Sequence, residues 1–235
     1  MIMLTLVAAV LLGMAPSPAR PAPADSYVYR AVFLQAAPGR LLELVDLVKA
    51  TLPAYDAAGR PRPLLGRHTQ GDRWDILVVE PVGSLASFYA REPATPWERM
   101  ESLVAWREEL FVNGPPLAEF ERRNTEGGFY HLEIFLGLAG KRDSLYRQRL
   151  MEDDYSRRIG RPDNLVFTRV GGAAWDLFTL GFYRSLQHYA EPSSITVEQD
   201  ETAAKAAGFA SRNDIGAYLR RFIALHHDTL LVPIR

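Results

Sequence analysis

A segment of fifteen residues occurs twice in this chain, and this repeat constrains the fold more than any other feature of the sequence. The first copy, GDRWDILVVEPVGSL, begins at Gly71, and the second, GAAWDLFTLGFYRSL, begins at Gly172, 101 residues later. Further identities keep the same spacing, and they pair Gly59-Arg60-Pro61 with Gly160-Arg161-Pro162, Leu64 with Leu165, Leu44 with Leu145, Gly39 with Gly140 and Tyr29 with Tyr130. A constant spacing across several elements indicates an internal duplication.

The predicted elements follow the same order in both copies. In the first copy they are a strand over Tyr27 to Ala37, a helix from Leu41 that ends at Gly59, strands over Leu64 to Thr69 and Arg73 to Glu80, a short helix from Ser84 and a longer helix over Trp97 to Leu110. In the second copy they are a strand over Phe129 to Leu138, a helix over Lys141 to Ile159, strands over Leu165 to Val170 and Ala174 to Gly181, a short helix near Ser185, helical pieces over Thr202 to Ala207 and Asn213 to Leu225, and a closing strand over Leu230 to Ile234.

Each copy therefore has the order β-α-β-β-α, with a last strand visible only in the second, and this order is ferredoxin-like. We place the first repeat at residues 25–126 and the second at 127–235. One sheet with both helices on the same face leaves its other face bare, and two copies can cover each other by packing those faces together. The sequence predicts an α+β fold in which two tandem ferredoxin-like βαββα(β) repeats form an intrachain pseudo-two-fold α/β barrel.

This tandem pattern, in which the first strand of each copy is followed by a Pro38-Gly39 or a Gly140-Lys141 turn and a long helix, resembles the dimeric α/β-barrel superfamily. Within it, the NIPSNAP and antibiotic-biosynthesis-monooxygenase-like branches are most similar, and the resemblance covers the chain from Tyr27 to the C-terminus. It implies relatives that include cofactor-free oxygenases, haem-degrading enzymes, chlorite dismutase-like haem enzymes and lyases. A shared fold of this kind does not select one of those reactions.

The first 24 residues are typical of a secretory signal peptide. Ile2 to Met14 is an apolar run too short to span a bilayer comfortably, and Ala22-Pro23-Ala24 matches a small-residue cleavage pattern before Asp25. An uncleaved anchor is the alternative. We therefore expect an exported protein, periplasmic or extracellular, with no membrane contact after cleavage. The chain has no cysteine, which excludes disulfides and thiolate chemistry, and its net charge of −1 leaves no electrostatic footprint for nucleic acid.

Two polar residues on the first strand of the second copy are the candidate catalytic pair. Alternate residues share a strand face, so His131 and Glu133 lie together, opposite an apolar set that begins at Tyr130. We expect the apolar set to pack against helices and the polar set to line the barrel interior, where Arg30 is the counterpart of His131. Glu133 would then orient His131 as a general base. In the alternative, these three side chains only satisfy one another in a polar cavity.

The second copy carries more unusual polar and aromatic residues than the first, which favours that side of the barrel for a pocket. The candidate ligand-binding residues are Arg30, Arg169, Asp176, Tyr183 and His188. Asp176 has the counterpart Asp75 in the first copy, which also favours a structural role for both. We interpret His226-His227-Asp228 as a solvated helix end, since adjacent side chains diverge, and we expect no metal site.

The sequence thus predicts an exported NIPSNAP-like barrel, with a homo-oligomer as one option, that binds a small molecule in its cavity and needs no cofactor. Two alternatives stay open. One is a cofactor-free, monooxygenase-like enzyme that acts on an aromatic or polyketide-like substrate. The other is a haem-binding protein whose axial ligand is His188 or His131.

Overall fold

A computed structural model describes residues 27–70, 72–91 and 100–235 of the chain. The predicted signal peptide, the turn position Gly71 and the start of the helix predicted at Trp97 lie outside the described residues. The predicted α+β class is confirmed, since eight strands pair antiparallel throughout and helices connect them. Within the described ranges, no helix combines the length and apolarity needed to cross a membrane.

The strands and helices alternate along the chain in two similar series. The strands are β1 (Tyr27–Ala36), β2 (Leu64–Gln70), β3 (Ile76–Gly83), β4 (Val104–Gly114), β5 (Phe129–Gly137), β6 (Asn164–Gly172), β7 (Leu177–Tyr183) and β8 (Ile223–Pro233). The described α-helices, numbered in chain order, are α1 (Leu41–Lys49), α2 (Leu52–Ala57), α3 (Leu85–Tyr89), α4 (Leu117–Glu126), α5 (Arg142–Arg158), α6 (Leu186–Ala190), α7 (Val197–Ala206) and α8 (Ile215–Leu219).

The eight strands close into one barrel in the order β1-β3-β2-β8-β5-β7-β6-β4, and β4 returns to β1. Read from β4, the first four strands have the order 4-1-3-2, and the other four have the matching order 8-5-7-6. The two sets join at two equivalent seams, β2 with β8 and β6 with β4. Each half thus contributes a sheet with the strand order of the ferredoxin-like motif.

The last strand of each half differs from the prediction. The helix predicted over Trp97 to Leu110 is wrong from Val104 onward, because Val104–Gly114 is β4, while Glu101–Leu103 just before it forms one 3-10 turn. The helix predicted over Asn213 to Leu225 is also wrong at its end, because α8 stops at Leu219 and β8 begins at Ile223. These stretches also show helical spacing of apolar residues, but closing the sheet requires strands there, because β4 and β8 each hydrogen-bond to two neighbours.

The barrel interior is filled with large apolar side chains. One buried cluster has members from all eight strands, among them Tyr29, Phe33, Leu132, Ile134 and Phe178. Only the inside of a closed barrel is faced by all its strands, and an eight-stranded barrel is just wide enough for side chains to fill it. Separate apolar clusters lie outside, between β1 and α1 and between β5 and α5. The general cavity expected inside the barrel is therefore packed, except at one end described below.

The spacing of 101 residues relates matching contacts in the two halves. The carboxylates of Asp75 and Asp176 accept hydrogen bonds from the N–H groups of Ala36 and Gly137, at 2.7 and 2.9 Å. In each case the acceptor closes the end of the half's first strand. The matching contacts indicate a structural role for the repeated aspartates. Each carboxylate accepts a hydrogen bond from a backbone N–H at a strand end that has no partner in the sheet.

Candidate functional site

His131 and Glu133 lie together on β5, as alternation predicts, but on the opposite face from the one expected. Tyr130, Leu132 and Ile134 belong to the barrel interior. The polar pair therefore points outward, beneath α5, whose Arg149 reaches Glu133. The predicted interior placement is wrong because the barrel lumen takes the large apolar set, while the helix-covered face has room for long charged side chains.

Glu133 is a buried carboxylate whose two oxygens have different surroundings. Its Oε2 accepts hydrogen bonds from Arg149 Nη1 and Thr179 Oγ1, both at 3.0 Å. Its Oε1 lies 3.4 Å from His226 Nε2, which forms no hydrogen bond within the described part of the chain. Burial alone would raise the pKa of Glu133, but the contact with His226 and the charges of Arg149 and His131 hold it at about 2. Glu133 is therefore ionised at neutral pH, and its Oε2 is the oxygen that the hydrogen bonds from Arg149 and Thr179 occupy.

His131 is paired with a carboxylate that sequence analysis did not select. Its Nε2 lies 2.5 Å from Asp228 Oδ1, and its ring packs against Tyr189 at 5.1 Å. Burial lowers the pKa of His131, but the hydrogen bond with Asp228 and the charge of Glu133 outweigh it, so the pKa is raised above the ordinary value. The geometry is that of an imidazole held by one carboxylate, Asp228, and near a second, Glu133.

His226 and Asp228 join this group because their segment is a strand. Cross-strand pairing places Asp228 opposite Glu133, and His226 opposite Phe135, on the same face of the sheet. The interpretation of His226-His227-Asp228 as a solvated helix end is wrong, and the argument from divergence applies only to the middle residue, His227, which faces the other way. Alternation within Ile223–Pro233 would have revealed this pairing, had the segment been taken as a strand. We name the set His131, Glu133, Arg149, His226 and Asp228 the β5–β8 polar cluster.

Arg30 does not join this cluster. It occupies the place of His131 in the other half, where Glu109 binds its guanidinium through two hydrogen bonds of 2.8 and 2.9 Å, and Glu80 lies at 3.3 Å. The expectation that Arg30, His131 and Glu133 face one another inside the barrel is therefore wrong. These residues lie on outer faces of two different half-sheets, and Arg30 finds its counter-charges on its own neighbours, β3 and β4.

Arg169 and Asp176 form a pair of their own at the hairpin between β6 and β7. Arg169 Nη2 donates to Asp176 Oδ1 at 2.9 Å, and Nη1 donates to the carbonyl of Ala173 at 3.1 Å. Asp176 also holds the strand-end N–H of Gly137. These contacts fix the β6–β7 hairpin to the end of β5, so Arg169 and Asp176 stabilise the fold there.

Tyr183 and His188 meet at a separate surface pocket of about 260 Å³. Their rings are 5.7 Å apart, and His188 Nδ1 accepts a hydrogen bond from the N–H of Arg184 at 3.2 Å. Burial raises the pKa of Tyr183. Tyr189 contacts the rings of both Tyr183 and His131, so this pocket borders the β5–β8 polar cluster.

The barrel opens at the end where β1 and β5 finish, and a second pocket of about 260 Å³ lies there. We name it the tryptophan pocket, and its principal lining residues are Phe33, Trp74, Trp106, Ile134, Trp175 and His227. Phe33 and Ile134 are equivalent residues of the two halves, and so are Trp74 and Trp175. Both tryptophans belong to the repeated segment, but neither was among the candidate ligand-binding residues.

The two equivalent indoles differ in their hydrogen bonding. Trp175 Nε1 donates to Glu108 Oε2 at 2.6 Å. Trp74 is 3% exposed, and its Nε1 has no hydrogen-bond partner among the residues that the structure describes. Nearby, His227 Nδ1 lies 2.8 Å from Asp72 Oδ2, and its ring packs against Trp175. A buried indole N–H without a partner is costly, and it stands out against its satisfied counterpart.

Three of the histidines, His131, His188 and His226, do not have the surroundings of a haem ligand. An axial ligand needs a free imidazole nitrogen that faces a flat apolar slot. His188 accepts from a backbone N–H and lies in a pocket with several charged residues, and His131 is bound to Asp228. His226 is stacked on Phe135 and directed at Glu133. We therefore derive no chemistry through haem.

Comparisons with known proteins agree on the fold. No family model matches the chain, and no curated protein matches its sequence. Among solved structures, the chain is similar to an anthrone oxidase-like protein, with 10% identity, a TM-score of 0.58 and coverage of 90% of this chain and 92% of the other. A proposed monooxygenase from Fusobacterium nucleatum has 8% identity, a TM-score of 0.58 and coverage of 91% and 94%.

A proposed monooxygenase from Lactobacillus acidophilus is similar at 8% identity, with a TM-score of 0.54 and coverage of 90% and 95%. At such low identities the likeness establishes a shared ferredoxin-like α/β fold and nothing about reaction or substrate. This is the fold that the repeat predicts. None of these three structures is described as a NIPSNAP protein.

Proposed function

We propose that this protein binds a small, flat, aromatic molecule bearing an oxygen acceptor, and that the tryptophan pocket is the binding site. The single observation that carries the proposal is the N–H of Trp74, a 3% exposed indole that lines this pocket, because that N–H has no hydrogen-bond partner among the described residues. A ligand carbonyl or ether oxygen that accepts from Trp74 would remove the cost of that orphan donor.

The walls of the pocket suit an aromatic guest. Three indoles and Phe33 supply rings that stack well and lose little conformational entropy on binding. The volume of about 260 Å³ lies just below the range of roughly 300–1,000 Å³ for pockets of drug-sized ligands, so one or two rings are the expected size.

The charged groups of the pocket are already engaged, which favours a neutral ligand. Asp72 holds His227, and Glu108 accepts from Trp175. The guanidinium of Arg73 lies 4.1 Å above the ring of Trp106, and this residue is exposed. A ligand that enters would meet Arg73 at the mouth as a movable cation–π partner rather than as a counter-ion deep inside.

The test is calorimetric titration of the mature protein with 1-acetonaphthone, a two-ring aromatic ketone. Trp74→Phe keeps one aromatic ring but removes the fused pyrrole ring together with the free donor. The weakening beyond that of the matched control therefore reports the hydrogen bond, and we expect it to be about 3- to 10-fold, the range of one neutral hydrogen bond. Trp175→Phe is the matched control, because its N–H is committed to Glu108, and we expect a change of less than about twofold. 1-Ethylnaphthalene, which lacks the carbonyl, should bind both variants and the parent alike.

Equal losses in the two variants would reject the assigned role of Trp74, and the absence of saturable binding by either naphthalene would reject the pocket. The oxygenase and haem alternatives have their own readouts, oxygen uptake and a Soret shift with haemin. His131→Ala would be the first variant to examine if either signal appeared, because that residue is common to both alternatives.

Three further expectations belong to this proposal. We infer export to the periplasm or the cell exterior from the signal-peptide pattern before Asp25. The matching contacts of the two halves support an origin by internal duplication, and the tandem pattern supports a NIPSNAP-like relationship. Secretion of a reporter fused behind residues 1–24, with processing before Asp25, tests the first of these.

A further inference from the structure

We propose that Glu133, His226 and Asp228 form a binding site for a divalent first-row transition metal ion, with zinc as the reference ion. One ligand atom from each residue lies within 4.8 Å of the other two. Two of the residues come from β8 and one from β5, and the register of these strands brings them to one face. The site lies on the outer face of the barrel, opposite the tryptophan pocket side of β5, and it is independent of the ligand proposed there.

The spacing of the donors matches a metal centre better than a hydrogen-bonded pair. Glu133 Oε1 and His226 Nε2 are 3.4 Å apart, yet no hydrogen bond joins them. Two ligands at about 2.0–2.1 Å from a tetrahedral zinc ion would be separated by about 3.3 Å. The observed separation is therefore that of two vertices of a coordination tetrahedron.

Each proposed ligand is oriented by a second residue. Arg149 and Thr179 hold Oε2 of Glu133, which leaves Oε1 directed at His226. The ring of His226 stacks on Phe135 with centroids 4.6 Å apart and an interplanar angle of 3°. Partners of this kind fix the ligands of metal sites and set their affinity.

The third ligand is fixed in the same way, and it gives the ion a path from solvent. His131 binds Asp228 Oδ1 at 2.5 Å, and the Asp228 side chain is 54% exposed. Three protein ligands leave a fourth position for water, which is the arrangement of an open zinc site rather than a closed structural one. The two carboxylates carry two negative charges, and Arg149 already pairs with one of them at 3.0 Å, so a divalent cation would complete the neutralisation of the cluster.

The ligand set also limits the class of ion. Imidazole suits zinc, copper, iron and nickel, whereas calcium and magnesium prefer oxygen donors alone. The set contains no sulfur, and the chain has no cysteine to supply it. We therefore expect zinc and cobalt to bind, and magnesium to fail to compete at equal concentration.

The experiment uses the tag-free mature protein, stripped with chelator and titrated with Zn²⁺ by calorimetry and with Co²⁺ by visible absorption. We expect one ion per chain and, for Co²⁺, the intense d–d bands of a low-symmetry four- or five-coordinate site. His226→Ala should weaken Zn²⁺ binding by at least about tenfold, the lower end for loss of a ligand partner. Asp228→Asn, at an exposed position, should also weaken it and does not depend on tolerance of a core substitution.

His227→Ala is the matched control, because His227 is the adjacent histidine and faces the tryptophan pocket. Binding that survives in this variant and is lost in His226→Ala and Asp228→Asn supports the site. Equal loss in all three variants, or Zn²⁺ binding no tighter than millimolar in the parent, overturns it. Neither result bears on 1-acetonaphthone binding, so the two proposals fail separately.

Discussion

Three matching positions between the sheet and the first helix of each half are apolar in the first half and polar in the second. In the first half, one buried apolar cluster includes Val32, Val48 and Val78. In the second half, 101 residues later, the same places hold Glu133, Arg149 and Thr179, joined by hydrogen bonds. A buried ion pair seldom stabilises a protein more than apolar residues of the same size. Stability alone therefore does not account for the charged set, and the proposed metal site would give it a role.

The comparison also separates what the two halves share from what distinguishes them. Glycines with positive φ follow the first strand at equivalent positions, Gly39 at 76° and Gly140 at 72°, and the repeated aspartates have the same partners. Those shared features shape the backbone. Among the residues that differ, His226 on the helix-covered face of the second half has a ring nitrogen, Nε2, without a hydrogen-bond partner in the described part of the chain.

The largest effect we predict comes from breaking the ion pair on one side. Arg149 is 1% exposed at its side chain and is bound to Glu133, Gln148 and Glu152. Arg149→Met leaves the carboxylate of Glu133 buried without its cation, which should lower the free energy of unfolding by about 3–5 kcal/mol. Denaturant unfolding at neutral pH, followed by circular dichroism, measures it.

The matching position of the first half supplies the control. Val48→Ala removes two methyl groups from an apolar cluster and should cost about 2 kcal/mol. The combined substitution Glu133→Val, Arg149→Val and Thr179→Val copies the first half into the second, and it should be neutral or stabilising while it abolishes Zn²⁺ binding. If Arg149→Met lowered the free energy of unfolding less than Val48→Ala does, burial of the charged set would not be costly to the fold.

Much of the fold follows from the sequence because the repeat is visible as identical residues at a constant spacing. The common register of Trp74 and Trp175, with Gly39 and Gly140, predicts two similar halves before any contact is known. Alternation likewise places His131 and Glu133 on one face. The choice of face was wrong because it depends on filling the lumen of an eight-stranded barrel, a property of all strands together that no single strand reveals.

The rest of the candidate site depends on contacts between distant parts of the chain. Asp228 meets His131 across 97 residues, and Arg149 meets Glu133 from the helix that covers β5. The first half of β8 was missed because the helix was expected to continue to Leu225, so only Leu230 to Ile234 was predicted as a strand. The orphan N–H of Trp74 is visible only when the equivalent Trp175 is seen to have a partner.

A second, smaller effect involves Asp153, which stands where the first half has Leu52. Burial raises the pKa of Asp153 to about 7, although it accepts a hydrogen bond from the N–H of Asn164 at 3.0 Å. The unfolded chain loses this proton near pH 4 and the folded chain only near pH 7, so stability contributed by this group falls as pH rises between those values. Asp153→Asn should remove that decline, of which about 2–3 kcal/mol falls between pH 5 and pH 8 for a shift of about three pKa units.

The measurement is the free energy of unfolding of parent and variant at pH 5 and pH 8. The gain of Asp153→Asn over the parent should be larger at pH 8. The neighbouring Asp154→Asn is the control, because Arg158 holds the pKa of exposed Asp154 below its usual range, and its substitution should show no gain at pH 8. A gain for Asp153→Asn that is equal at both pH values would mean that this carboxyl titrates normally.

The smallest effect is expected where the two halves are most alike. Asp75→Asn and Asp176→Asn each convert a charge-assisted hydrogen bond to a strand-end N–H into a neutral one, at a cost of about 1 kcal/mol. Asp176 also pairs with Arg169, a half-buried contact that adds about 0.2–1 kcal/mol. The two variants should therefore differ by less than about 1 kcal/mol in chemical denaturation. A larger difference would show that the two aspartates contribute unequally to the free energy of unfolding despite their matching geometry. Asp176 would then again be a candidate functional residue.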